Sequence, residues 1–400
     1  MAGPSPTAGD APAAAASARG AAGVTGADER ITVEERPYNA ETPLWALGTL
    51  PTPAGLVYVR THFDLPEHLA APDFRAAWRL RVDGAVQHPL DLGLADLQAL
   101  EPRRIPVTME CAGNGRALMT PPPPGTPWRL GAVSTVTFTG TPLAGLLARA
   151  GVRPGAVEVL AEGADRGEVA RGRVEPFRRS LPLAAATHPD TLLAWAMDDR
   201  PLPPLHGAPL RLVVPRWYGM ASVKWLVRLT VLEEPFAGFF QRERYVYEDE
   251  EGTPQGTPVT TIRVRAVIAD PPDGARLPAG PLTIRGIAWS GDGPIATVRV
   301  STDGGAHWQE AALEESLSPY AAHPWHLTWD PPGPGRYTIV ARAIDTLGNA
   351  QPLAPRWNRH GYGNNVAHTV HVEVTASPPP QPGREPGDAG EGGEHGRPGA

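Results

Sequence analysis

Thr108-Met109-Glu110-Cys111-Ala112-Gly113-Asn114-Gly115-Arg116 holds the only cysteine in a chain of 400 residues. A lone thiol forms no intrachain disulfide, so it is kept for reactivity, metal binding or packing. Gly113 and Gly115 let the backbone approach a bulky partner closely. Asn114 and Arg116 place polar and cationic groups beside the sulfur. A nearby cation lowers a thiol's pKa and favours the thiolate, the form that attacks carbon or binds a soft metal. Read locally, Cys111 is a nucleophile, a metal ligand or a small buried hydrophobe.

Composition narrows the classes. Hydrophobic residues make up 41% of the chain, enough for sizeable cores, and the length permits two or three domains. A net charge of −7 and a pI near 6.0 argue against a nucleic-acid binder. No run approaches the roughly 18 apolar residues of a membrane helix, so no membrane partner is expected. Residues 1–30 are rich in Ala, Gly, Pro and Ser and read as a disordered arm. The tail 377–400 reads the same way. The Ala-rich run lacks the leucine-type core of a secretory signal and has no twin-arginine pair, which leads us to expect a cytoplasmic protein, with the periplasm left open.

Gly and Pro, 44 and 48 residues, favour short strands and shaped loops over long helices. Trp78–Gly84 alternates and ends in a turn. Leu90–Leu100 has helical spacing, with Asp91 near its start. Ser134–Phe138 reads as a strand and Pro142–Ala150 as a short helix opened by proline. Leu210–Val214 is a buried strand interrupted by Arg211, and Val223–Leu232 is another, with Lys224 and Arg228 polar. Residues 247–258 form an acidic, turn-rich linker. Beyond it strands recur at short spacing: Arg263–Ala269, Leu282–Ala288, Thr297–Ser301, His326–Thr328, Tyr337–Ala343 and His368–Val374. Asp303-Gly304-Gly305 and Pro331–Gly335 punctuate them. This pattern is an all-β sandwich of immunoglobulin-like type without paired cysteines.

Two further stretches lie on either side of the cysteine motif. Arg60-Thr61-His62-Phe63 precedes it, and His206-Gly-Ala-Pro-Leu-Arg-Leu-Val-Val-Pro-Arg-Trp-Tyr-Gly-Met-Ala-Ser-Val-Lys-Trp225 follows. With Glu110–Asn114, they resemble the sulfite oxidase family of molybdenum-cofactor enzymes in order and spacing, over about residues 36–374. The resemblance implies an α+β molybdopterin-binding domain over 31–250 and a sandwich over 257–376 that forms a homodimer. It makes Cys111 the one protein ligand to molybdenum, beside two dithiolene sulfurs. It also implies cofactor contacts from Arg60, His62, Asp165, His206, Arg211, Ser222, the backbone around Val223, and Lys224. Arg211 and Lys224 suit a phosphate, as a fork and a point charge. Arg60 and Arg116 fall on substrate-side arginines, Tyr245 on a tyrosine near the reacting oxygen, and Trp128 near a pocket tryptophan.

The chain departs from the family pattern twice. Gly115 stands where the first of two arginines usually follows Cys-Ala-Gly-Asn. After Trp357-Asn358, His360 takes a usual arginine position, and Arg359 lies one residue earlier; a one-residue shift on a strand reverses the face. The cysteine count excludes a Cys-x-x-Cys-His haem site and cysteine-ligated clusters. No cytochrome b5-like segment precedes Arg36, so no haem is expected. The expectation is oxygen-atom transfer to sulfite, a small oxyanion, with electrons passed to an external acceptor such as a cytochrome. Reduction of S-oxides or N-oxides on the same fold is the alternative. A cysteine hydrolase using His62 or His206 as base, and a cofactor-free binding module, are the rivals from other classes.

Overall fold

The computed structural model describes residues 30–376. The expected disordered segments lie outside the described residues, apart from Arg30. The chain is mostly strand, in two units that share packing.

The first unit carries two antiparallel-rich sheets. In one, Arg103–Glu110 pairs with Val133–Pro142, which pairs with Leu192–Met197; Arg200–Pro201 and Arg211–Val213 pair with that third strand. Val133–Phe138 is buried throughout because protein covers both faces; the hydroxyls of Ser134 and Thr135 are satisfied by those of Thr42 and Thr108. In the other sheet the order is Leu90–Gly93, Arg79–Gly84, Leu226–Leu232, Glu158–Ala170 and Arg173–Pro182. Arg79–Gly84 and Leu226–Leu232 run parallel, and the other neighbours are antiparallel. The helix Leu143–Ala150 buries Leu143, Leu146, Leu147 and Ala150, one face of a 3.6-residue period, and ends at Gly151 in the left-handed region.

Two expected elements differ in extent. Leu90–Leu100 divides, because Leu90–Gly93 joins the ladder of Arg79–Gly84 and only Leu94–Gln98 is helical. Asp96, not Asp91, caps that turn by accepting the Gly93 N–H at 2.8 Å, while Asp91 pairs with Arg79. The strand expected from Val223 starts at Leu226. Trp225 has φ +48°, which breaks extended geometry just after Lys224.

The second unit is the expected sandwich. Its four-stranded sheet is ordered Arg265–Asp270, Leu282–Trp289, His323–Trp329 and Ala312–Leu313. Its five-stranded sheet is ordered Arg276–Pro278, His368–Thr375, Gly335–Asp345, Ile295–Ser301 and Gln309–Glu310. Alternate residues of both sheets, among them Ile268, Ile284, Val298, Trp325, Ile339 and Val372, meet in one apolar core. The linker 247–258 is partly a hairpin, since Val246–Tyr247 pairs with Thr257–Pro258. Val267, Ile287, Trp289, Ala322 and Tyr362 pack into the first unit's core, so the two units are joined by apolar contact.

At the edge of the sandwich, His368 accepts the Ile268 N–H through Nδ1 at 2.9 Å. Burial, helped by Arg265, holds it down to about 4. A histidine held neutral stabilises the fold fully above its unfolded value of about 6.5, and that contribution is lost as pH falls from about 6.5 to 4. We therefore expect His368→Gln to flatten the acid side of the stability curve by up to about 3 kcal/mol, read as urea midpoints of variant and parent at each pH. The difference is the readout because Glu41 and Asp165, both raised to about 6 by burial, titrate in the same window with opposite sign. Parallel curves would contradict the assignment.

Candidate active site

Cys111 sits at the end of strand Arg103–Glu110, where the chain turns through Gly115. Gly115 has φ +85°, and a Cβ there would lie 2.8 Å from an Arg265 nitrogen, so only glycine fits. The turn is held from both units. Ala112 O accepts the Gly363 N–H at 2.8 Å, and Gly115 O accepts Asn364 Nδ2 at 2.8 Å. Glu110 accepts Asn114 Nδ2 at 2.9 Å, Arg265 Nη1 at 2.6 Å and Trp289 Nε1 at 2.9 Å. The loop that carries the thiol is thereby fixed on all sides.

The thiol lies where two cavities meet. The inner one is bordered by Arg60, His62, Asp165, His206, Arg211, Ser222 and Lys224, with Tyr58, Met109, Phe138 and Trp225 around them. The outer one is bordered by Arg60, Arg116, Arg244, His360, Trp128, Phe239 and Tyr362. Arg60, His62, Cys111 and Tyr245 border both. Thus the structure brings together every expected side chain. Val223, expected to contribute its backbone, packs its side chain in the core, and its carbonyl accepts the Leu212 N–H at 2.8 Å.

Local structure aims these groups. Arg211 opens a strand, donates to His206 O and Ser222 O at 3.1 Å each, and lies 5.3 Å over the Phe138 ring. Gly207, with φ +104°, lets the chain pass between Arg211 and Lys224; a Cβ would lie 3.1 and 3.0 Å from theirs. Lys224 donates to Leu205 O at 2.9 Å and its ammonium lies 4.1 Å over the Trp225 ring. Asp165 sits at a bulge, where the register of Glu158–Ala170 shifts between Glu162 and Arg166; bulges re-aim side chains.

Electrostatics gives the inner cavity its character. Burial holds Arg211 down to about 10, and burial, with Arg211 and Arg60 nearby, holds Lys224 well below its usual range. His62 and His206 are kept neutral by burial and by the same cations. Asp165 is the one carboxylate lining this cavity, and its Oδ1 is buried without a hydrogen-bond partner. Excess buried positive charge asks for an anion, and the orphaned carboxylate oxygen asks for a donor. A pterin with a phosphate offers both. Among the described residues no group of three or more His, Cys, Asp or Glu side chains is set to hold a metal ion. A metal here would take one protein ligand, Cys111, and its remaining ligands from a cofactor. Burial pushes the Cys111 thiol up, with Arg60 and Arg116 opposing, so a bound metal would supply the charge that makes it a thiolate.

Residues 68–240 match the family described as oxidoreductase molybdopterin binding domain, and 257–375 match the Mo-co oxidoreductase dimerisation domain. The chain belongs to the sulfite oxidase family. It is 37% identical to the mitochondrial sulfite oxidase of Homo sapiens, over 85% of this chain and 65% of that one. Against the sulfite oxidase of Arabidopsis thaliana it is 31% identical, over 85% and 93% of the two chains. The chain spans only 65% of the length of its mammalian relatives. Among solved structures, the sulfane dehydrogenase SoxCD of Paracoccus pantotrophus superposes with a TM-score of 0.75 and 30% identity, covering 85% of this chain and 87% of that one.

In the outer cavity, Arg116 is buried, donating through Nε to His360 O at 2.9 Å and through Nη1 to Thr126 O at 2.8 Å. Arg60 donates to Asn39 Oδ1 and to Thr61 O. Tyr245 is stacked on Tyr362, centroids 5.1 Å apart, and its hydroxyl lies 2.6 Å from His62 Nε2. His360 borders the cavity; Arg359 turns away to Glu248 and Asp249 at 3.3 and 3.1 Å. Sequence reading passed over two signals. Lys224 is the only lysine of the chain, and it shares a cavity with the only cysteine. Arg244, beside Tyr245, was not picked out because nothing local distinguishes it among its charged neighbours.

If Lys224 serves an anionic cofactor, Lys224→Gln keeps a donor for Leu205 O and removes the charge. The expected result is molybdenum per chain reduced several-fold at unchanged melting temperature, for a charge-assisted bond worth about 1.5–3 kcal/mol. Unaltered metal content would return Lys224 to a packing role.

Proposed function

We propose that the protein oxidises sulfite to sulfate, taking the new oxygen from water and releasing two electrons and two protons. A molybdenum cofactor, when bound, supplies the oxygen-atom-transfer and two-electron chemistry. Cys111 would hold its metal, and Arg211, Lys224, Asp165, His206 and Ser222, with the edge residues Arg60 and His62, would hold its organic part. The observation that carries this reading is the junction itself: the single thiol separates a buried cationic chamber, with one orphaned acid, from a second chamber bordered by three arginines.

The chain's residues do the rest. Arg60 and Arg116 hold the oxyanion by charge-assisted bonds, each fixed in advance by protein acceptors. With the proton on Nε2, neutral His62 donates to Tyr245, and the tyrosine's own hydroxyl proton is left for a substrate oxygen. Burial raises Tyr245 well above its ordinary value, so it stays a donor rather than a phenolate. We assign the electrons to an external one-electron acceptor such as a cytochrome. We assign the sandwich to a homodimer contact, supported by the dimerisation-domain match.

Reduction of S-oxides is the second reading. It is favoured by the outer chamber, where His360 stands at a usual arginine position. Steady-state assay of molybdenum-loaded protein separates the two. Sulfite turnover with a one-electron acceptor is expected; turnover of an S-oxide with a reduced dye, and none of sulfite, would replace the first reading.

A pH series tests His360. Burial lowers its pKa below the usual 6.5, against the pull of Glu248 at 3.4 Å. Its positive charge is therefore present only at acid pH and is lost as pH rises through that lowered value. Sulfite KM should rise across this acid window and stay high at neutral pH. His360→Arg, compared with the parent at each pH because sulfite itself ionises, should lower the neutral-pH KM several-fold and flatten the rise. Superimposable profiles would remove His360 from the pocket.

A further inference from the structure

Arg244 closes the π-helical turn Phe240–Arg244, which sits between buried Phe240 and buried Tyr245. The anchors fix its backbone, while its side chain is exposed and borders the outer cavity. Two acids, Glu34 and Glu168, also border the cavity; Glu34 accepts from Asn39 and Thr126, and Glu168 accepts the Gly172 N–H. Glu243 pairs with Arg173 at 2.9 Å, and Glu248 lies 3.3 Å from Arg359 and 3.4 Å from His360. Among the described residues, the Arg244 side chain has no ion pair or hydrogen-bond partner. Its charge reaches the pocket nonetheless, depressing His62 and His360 and acting on Tyr362.

Arg60 and Arg116 cannot do the same work. Both are tied to protein acceptors, so they form a fixed floor beside Cys111. An anion entering from solvent meets Arg244 with its guanidinium uncommitted. A planar fork suits two oxygens of an oxyanion, and an exposed cation at a cleft mouth raises the local anion concentration.

We propose that Arg244 is an anion-capturing residue of the outer cavity, closing over a doubly or singly charged sulfur oxyanion that Arg60 and Arg116 hold from below. It makes the cavity selective for anions over neutral S-oxides of similar size. This deepens the sulfite reading and rests on it.

The test is Arg244→Gln in the full-length, molybdenum-loaded protein. Sulfite KM is expected to rise about tenfold, with kcat falling by much less, and the increase of KM with ionic strength to become shallower. Arg244→Lys should recover part of the lost affinity, because charge without the fork still attracts the anion. Sulfate binding, followed by calorimetry, needs no turnover and should weaken by a similar factor. Unchanged KM, salt dependence and sulfate affinity in Arg244→Gln would overturn the proposal. If the parent fails to oxidise sulfite, the functional reading falls, and sulfate affinity alone decides: weakening in Arg244→Gln keeps the anion site, and equal affinity removes it.

Discussion

The pair formed by Glu110 and Arg265 is the constraint on which the site depends. The side chains are 3% and 1% exposed, and their atoms are 2.6 Å apart. One comes from the residue before the metal-ligand candidate, the other from the first strand of the sandwich. A buried charge pair contributes little net stability when intact, but removing one partner costs about 3–5 kcal/mol. Its effect is therefore specificity of arrangement. Glu110 takes three donors, from Asn114, Arg265 and Trp289, and Arg265 also donates to Asn364 O. The thiol-bearing turn cannot shift without breaking contacts in both units. The sandwich is thus a wall of the catalytic unit as well as a candidate dimer surface, and Arg116 and His360 meet across the same seam.

With the turn fixed, the two chambers acquire opposite tasks from the same raw material. Both are cationic, but the inner one buries its cations and keeps one orphaned acid, so it is built for a resident ligand with phosphate and donor groups. The outer one keeps exposure and a less committed arginine, so it is built for a ligand that comes and goes. Aromatic stacking of Tyr245 on Tyr362, and of His62 on Phe177 at 4.5 Å, fixes the groups at the boundary. Rigid rings there hold the Tyr245 hydroxyl and the His62 imidazole in place.

Much of this was legible from residues alone, and what was missed has physical causes. Six sandwich strands were legible from their short spacing between turn signals, and their bounds moved by only a few residues; Arg276–Pro278, Gln309–Glu310 and Ala312–Leu313 are too short to carry a pattern. The cysteine motif stood out because glycines, an amide and a cation around a lone thiol are unusual for a packing cysteine; that Gly115 and Glu110 also serve the seam with the sandwich was not legible, since Arg265 and Trp289 lie far along the chain. Leu90–Gly93 was misread because helical spacing and a strand edge share apolar residues over so short a run, and only the partner strand decides. Trp225 could not be foreseen in a left-handed conformation, since tertiary contacts impose it. Which of Arg359 and His360 faces the cavity depended on Glu248 and Asp249 drawing the arginine outward.

The central claim is that Cys111 holds molybdenum at the junction of the chambers. X-ray absorption at the molybdenum edge, on loaded protein and on loaded Cys111→Ser, tests it most directly. The account predicts three sulfur ligands in the parent, one from Cys111 and two from the dithiolene, and two in the variant, because serine offers a hard oxygen in place of a thiolate. An identical sulfur count in both proteins would contradict it.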